Sequence, residues 1–152
     1  MPKFTTQDRY GFEFVGEGRI LSSVVGASVI SVNEGECGSD EAFLADMAVL
    51  SITTSAGELI FYHTQSCCEN VYLESPGVDE IRDAIVGGTI VVCEARSSDA
   101  AGKPESCDEN DSWTWTFYEI RTTKGDVTLR FLGVSNGYYS ESVDVAFIPK
   151  GE

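Results

Sequence analysis

The stretch "HTQSCCENVYLE" at 63–74 places the chain's single histidine, two adjacent cysteines and an acid within seven residues, His63 to Glu69. Three chemistries use such residues: metal ligation, thiol nucleophilicity and the packing of a β-strand. Structural zinc sites announce themselves as two spaced pairs, such as Cys-x-x-Cys twice. Here there is one adjacent pair, and the spacing of Cys37, Cys93 and Cys107 adds no second one. No metal and no cofactor is therefore expected. A cysteine nucleophile needs a lowered pKa, usually from a neighbouring imidazole. His63 and Cys67 lie four apart, and a bend through "TQS" would bring them together. A thiol enzyme using Cys67 or Cys68 with His63, and Glu69 or Glu141 as the orienting third group, is thus one alternative.

The strand reading is simpler. Alternation puts Cys67, Glu69, Val71 and Leu73 on one face and Cys68, Asn70, Tyr72 and Glu74 on the other. The two sulfurs then point to opposite sides, and one cysteine fills the core as a small hydrophobe. Val71 and Leu73 mark the first face as inward, which leaves Glu69 inside. A buried carboxylate needs a partner. Arg130 is the first candidate and Arg121 the second.

A second constellation is "SNGYYSESVD" at 135–144. Tyr138, Tyr139 and Glu141 follow a turn, and aromatic rings with polar tips suit planar ligands or a partner protein. Trp113 and Trp115 read as core rather than as a ligand platform.

These groups must be positioned by strands. "SWTWTFYEI" alternates aromatic residues (Trp113, Trp115, Phe117) with Thr114, Thr116 and Tyr118. "VTLRFLGV" puts Val127, Leu129 and Phe131 on one face and Thr128 and Arg130 on the other. Asn136-Gly137 is a strong hairpin signal. In "YYSESVDVAFI", Tyr139, Glu141, Val143, Val145 and Phe147 share a face. The three segments read as an antiparallel meander. Upstream, 27–34, 47–54, 58–64, 69–74 and 89–96 read as further strands, with a turn at 55–58. "SPGVDEIRDAIVGG" reads as a helix, with Val78, Ile81 and Ile85 on one face and Gly87-Gly88 ending it. Residues 97–112 and 35–45 read as loops. The expectation is a mainly β (α+β) fold: a curved antiparallel sheet or sandwich with meander hairpins and one short helix. Residues 1–23 read as an N-terminal extension packing on a single β-rich domain at 24–152. Exposed sheet edges offer a second copy a place to pair, so a homodimer stands beside the monomer.

Composition narrows the partners. The 152 residues carry 25 acids against 10 bases, a formal net charge of −15. Such a surface repels phosphate backbones, which argues against direct nucleic-acid binding. An acidic decoy that imitates DNA is a further alternative, but the acids are scattered, with modest clusters such as 107–112. No apolar run is long enough to span a membrane, and the N-terminus lacks a signal-peptide pattern. A cytoplasmic protein is expected. Its five cysteines then default to free thiols. A disulfide between the neighbours Cys67 and Cys68 would lie far from the usual geometry.

The two blocks "HTQSCCENVYLE" and "SWTWTFYEIRTTKGDVTLRFLGVSNGYYSESVDV" resemble a family of small proteins of unknown function from bacteriophages and prophage-bearing bacteria. Its members are similar to H-x-Q-D-C-C-E-x-V-x-I-E-D, followed by Y-T-W-T-F-Y, K-G-x-V-T-I-R-W and S-N-G-Y-Y-S-E-S-V. The likeness runs over roughly 24–146. Ser66 and Ser75 stand where the family has acids, which puts any cation-binding role of those acids in doubt here. The resemblance implies a phage protein working in the host cytoplasm and brings no activity with it. The leading expectation is a non-catalytic accessory binding protein that interferes with a host process such as defence. It would take a small nucleotide-like ligand or a host protein, through His63, Glu69, Arg130, Tyr138, Tyr139 and Glu141.

Overall fold

The structure, a computed structural model, describes residues 3–7, 9, 11–35, 37–38, 41–96, 102–104 and 111–151. Cys107 and the acids at 108–109 lie outside the described residues. The strands are β1 (Phe4–Thr5), β2 (Glu13–Phe14), β3 (Val29–Glu34), β4 (Ala48–Thr54), β5 (Gly57–Tyr62), β6 (Asn70–Ser75), β7 (Ile90–Arg96), β8 (Ser112–Thr122), β9 (Asp126–Ser135) and β10 (Asp144–Pro149). The helices are α1 (Glu17–Ser22), α2 (Ala42–Met47) and α3 (Val78–Ile85). The strands form a six-stranded sheet, β2-β1-β10-β5-β4-β3, and a four-stranded sheet, β6-β9-β8-β7. All pairings are antiparallel except β1 with β2.

The fold is mainly β, as the alternation indicates, and takes the form of a sandwich. Apolar residues of both sheets make one core, including Leu59, Phe61, Val145 and Phe147 from the larger and Tyr118, Ile120, Leu129 and Phe131 from the smaller. Phe61 packs between the sheets, 4.8 Å from the Tyr118 ring and 5.3 Å from the Phe131 ring. Helix α1 packs on β7 and β10, and α3 packs on β3 and β9. Each therefore bridges the two sheets. Ile81 and Ile85 of α3 are fully buried, on the face that their spacing marks. Helix α2 covers the outer side of the larger sheet, where Leu44 meets Ile60, Tyr62 and Ala146. Helices α1 and α2 were not expected. Each has only six residues, too few for a periodicity to register, and each is held by packing.

Two expectations are corrected here. The meander breaks after β9. Gly137 does turn the chain, with φ of +95°, but residues 136–143 cross to the other sheet. There β10 pairs with β5 and β1. Gly133 permits the crossing: a Cβ there would lie 2.2 Å from the Glu141 carbonyl oxygen. The alternation nevertheless survives in burial, since Glu141, Val143, Val145 and Phe147 are all buried.

The faces of β8 are also the reverse of the expectation. Tyr118 and Ile120 point into the core. Trp113 and Trp115 are half-buried on the outer face with Phe117. Trp115 and Phe117 stack with centroids 6.2 Å apart, the Arg130 guanidinium lies over Trp115 at 5.0 Å, and the indole N–H donates to the Gly102 carbonyl at 2.8 Å. These contacts shelter the aromatic residues without a second sheet above them.

Candidate functional site

His63 follows β5, and the segment 64–69 turns before β6 begins at Asn70. The turn is organised from the inside by one carboxylate. Glu69 accepts the backbone N–H of Cys67 at 2.8 Å and of Ser66 at 2.9 Å, and the Gln65 amide at 3.3 Å. His63 Nε2 donates to it at 2.8 Å. Burial pushes this carboxyl up, but the Cys67 N–H, the His63 ring and the Ser66 N–H outweigh it and hold it at about 2. Gln65 adds a further tie, donating to the Cys67 carbonyl at 3.1 Å and to the Glu69 carbonyl. The motif's H-x-Q and its acid therefore build a turn.

His63 also joins this turn to the second constellation. Its Nδ1 donates to the Ser142 carbonyl at 2.8 Å. Both nitrogens thus face oxygen acceptors. One residue before Ser142, the Glu141 carboxylate is buried under β8 and β9. It accepts the Thr114 hydroxyl at 2.8 Å and the Ser135 hydroxyl. Burial raises this carboxyl and the hydroxyls of Ser135, Thr114 and Ser112 lower it further, leaving it below its ordinary value. Thr64 is in turn tied to the N-terminal segment, where Arg9 donates to its hydroxyl at 2.8 Å. Gln7 and Thr6 donate to Asp144 at 2.8 and 3.2 Å.

The sequence-derived site is thereby sorted into parts. His63, Glu69 and Glu141 come together at one end of the sandwich, all buried. Tyr138 projects from the same loop and is 86% exposed, while Tyr139 is half-buried. Arg130 is elsewhere, on the outer face of the smaller sheet, with its Nε 3.6 Å from Glu74. The expected Glu69–Arg130 pair does not form. Phe131 points inward, so its neighbour Arg130 must point outward. Arg121 is also external and pairs with Glu119 at 2.5 Å. His63 fills that role instead, a contact expected only within the thiol-enzyme alternative, where Glu69 orients the imidazole.

The cysteine pair is likewise corrected. Cys67 and Cys68 lie in the turn rather than in a strand, both exposed, and their sulfurs are joined in a disulfide. They do not sit on opposite faces, and neither fills the core. His63 has no nitrogen left for a cysteine, since Glu69 and Ser142 take both. Among the described residues, no three His, Cys, Asp or Glu side chains gather to hold an ion.

Beside the turn lies an open groove of about 350 Å³ lined by Cys68, Asn70, Tyr72, Asp111, Val134, Ser135 and Asn136. The β6–β9 register, with Asn70 opposite Val134, makes it by setting the cysteine turn next to the Asn136 turn. Gln65, Gly133 and the hydroxyls around Glu141 are the parts that sequence reasoning missed. A glycine inside an alternating strand is the signal that points to Gly133.

No curated protein and no solved structure matches the chain. A family model matches residues 21–145, and the chain belongs to that family, described as a domain of unknown function (DUF7448).

Proposed function

We propose that the protein is a non-catalytic binding domain whose contact surface is the end bearing the cysteine turn and the Tyr138 loop. The observation that carries this reading is where the hydrogen-bond capacity goes. The ionisable groups of the motif, His63, Glu69 and Glu141, are buried and committed to holding two loops. A general base must reach the proton it abstracts, and these groups face protein partners instead. Apart from Asp111, the groove presents neutral polar groups. The Asn136 oxygen accepts the Tyr138 N–H at 3.2 Å, so its amide N–H groups are what that side chain offers a ligand. Asn70 adds a second amide and Tyr72 a ring beside them.

Amides of this kind pair with the edges of nucleobases, and a volume of about 350 Å³ falls in the range of small-ligand sites. Asp111 at the groove and the net charge of −15 disfavour polyphosphates. The ligand class is therefore a planar, uncharged, hydrogen-bonding molecule such as a nucleoside. In the setting that the resemblance implies, a phage accessory protein in the host cytoplasm, sequestering a host nucleoside would interfere with a host process such as defence.

Isothermal titration against nucleobases, nucleosides and nucleotides tests this. Saturable binding of a base-containing compound, lost in Asn136→Ala and Asn70→Ala, is expected. Binding that both variants retain, or no binding across the set, overturns it.

A further inference from the structure

A disulfide ordinarily stabilises a protein by closing a loop in the unfolded chain, and the effect grows with the number of residues enclosed. The bond between Cys67 and Cys68 joins residues one apart in sequence and encloses none. It adds little as a staple. The turn does not depend on it either, because Glu69 and Gln65 hold the backbone of residues 66–69 from within. What the bond does define is a piece of surface, with both cysteines exposed and Cys68 lining the groove. Exposed sulfurs exchange with thiols in solution. Cys93 offers a contrast within the same chain. It is buried, and burial, with the Glu94 charge, pushes its thiol up to about 12.

We propose that Cys67–Cys68 is a reversible two-electron thiol–disulfide site, cycled by low-molecular-weight thiols of the glutathione class and their disulfides. In the reducing direction a thiolate RS⁻ attacks one protein sulfur. The bond between the cysteines breaks, a mixed disulfide forms, and the released cysteine sulfur takes up a proton. A second RS⁻ attacks the RS sulfur of the mixed disulfide, which frees the other cysteine and releases RSSR. The protein gains two electrons and two protons, and two RSH become RSSR. Oxidation is the reverse. The consequence is a groove wall that alternates between a closed disulfide and two thiols while the fold stays the same. This goes beyond the ligand reading and holds whether or not the groove is filled.

The test uses the intact folded chain in buffers running from reduced to oxidised glutathione. Each sample is quenched in acid, alkylated and cleaved after glutamate. The peptide from Leu59 to Glu69 carries both cysteines and no other. The expected result is two alkyl groups on this peptide in reduced glutathione and none in oxidised glutathione. The transition should be reversible, and circular dichroism should be unchanged across it. Cys68→Ser should instead stop at a mixed disulfide of Cys67 with glutathione. Three outcomes overturn the proposal: two alkyl groups at every ratio, none until the chain is denatured, or a glutathione adduct as the wild-type end state. None of these measures the groove's ligand, so failure here and failure of the nucleoside reading are separate results.

Discussion

His63 and Glu69 face one another across 2.8 Å, with both side chains sealed from solvent. The pair joins the end of β5 to the turn before β6, and the second ring nitrogen carries the connection on to Ser142. Two loops distant in sequence thus share one buried hub. Removing one partner of such a pair leaves the other buried and uncompensated.

The hub makes stability depend on pH in a defined direction. Glu69 is held at about 2 in the folded chain, against an ordinary value of 4.5. Its contribution is therefore fully present above about 4.5 and is lost as pH falls toward 2. Glu141, also lowered, acts with the same sign. Asp144 acts with the opposite sign, because burial raises it. Glu69→Gln should be less stable than wild type at pH 7. Its stability should also fall less steeply from pH 4.5 to 2, a difference that thermal melts followed by circular dichroism at stepped pH will show.

The crossing of the Tyr138 loop rests on a missing side chain. Gly133→Ala brings a Cβ to 2.2 Å from the Glu141 carbonyl oxygen and 2.7 Å from its Cβ. Overpacking of this kind typically costs about 1–3 kcal/mol. Urea denaturation should show a loss of that order. Gly137→Ala is the control: it meets no atom within 4 Å, and only its φ of +95° is strained, so the loss should be smaller.

Arg130 acts by stacking rather than by salt bridging. It lies over Trp115 at 5.0 Å and over Phe117 at 5.8 Å. An arginine on an exposed ring contributes about 0.5–1 kcal/mol. Arg130→Ala should lower stability by about that amount and red-shift the tryptophan emission as Trp115 gains water. Arg130→Lys should restore little of either, lacking the planar group. Glu74→Gln, which removes the charge 3.6 Å from Arg130, should have almost no effect.

Most strands and helix α3 were legible because alternation and the i, i+3, i+7 spacing survive into the fold. The failures have physical causes. On β8 both faces carry large side chains, and only the partner strand decides which turns inward; Leu129 opposite Tyr118 does so. After β9, the Asn136-Gly137 signal describes a turn but not where the returning strand pairs. That depends on Gly133 and on β5. The inward position of Glu69 was legible from Val71 and Leu73. Its partner was legible only through the thiol-enzyme alternative, because a continuous strand carries His63 and Glu69 apart, whereas the turn at 64–69 folds back on itself and brings them within reach. The exposed disulfide was illegible because a strand pattern places neighbouring side chains on opposite faces, and this segment is not a strand.

The central claim is that the motif's ionisable residues frame a binding surface and that the contact is made by Asn70, Tyr72 and Asn136. Two-dimensional amide NMR of the chain titrated with nucleosides measures this most directly. The account predicts saturable shifts of the Asn70 and Asn136 side-chain amides and of the backbone at Cys68 and Tyr72. The β3 and α3 amides at the far side of the sandwich should stay fixed. Shifts centred elsewhere, or none at any concentration, would contradict it.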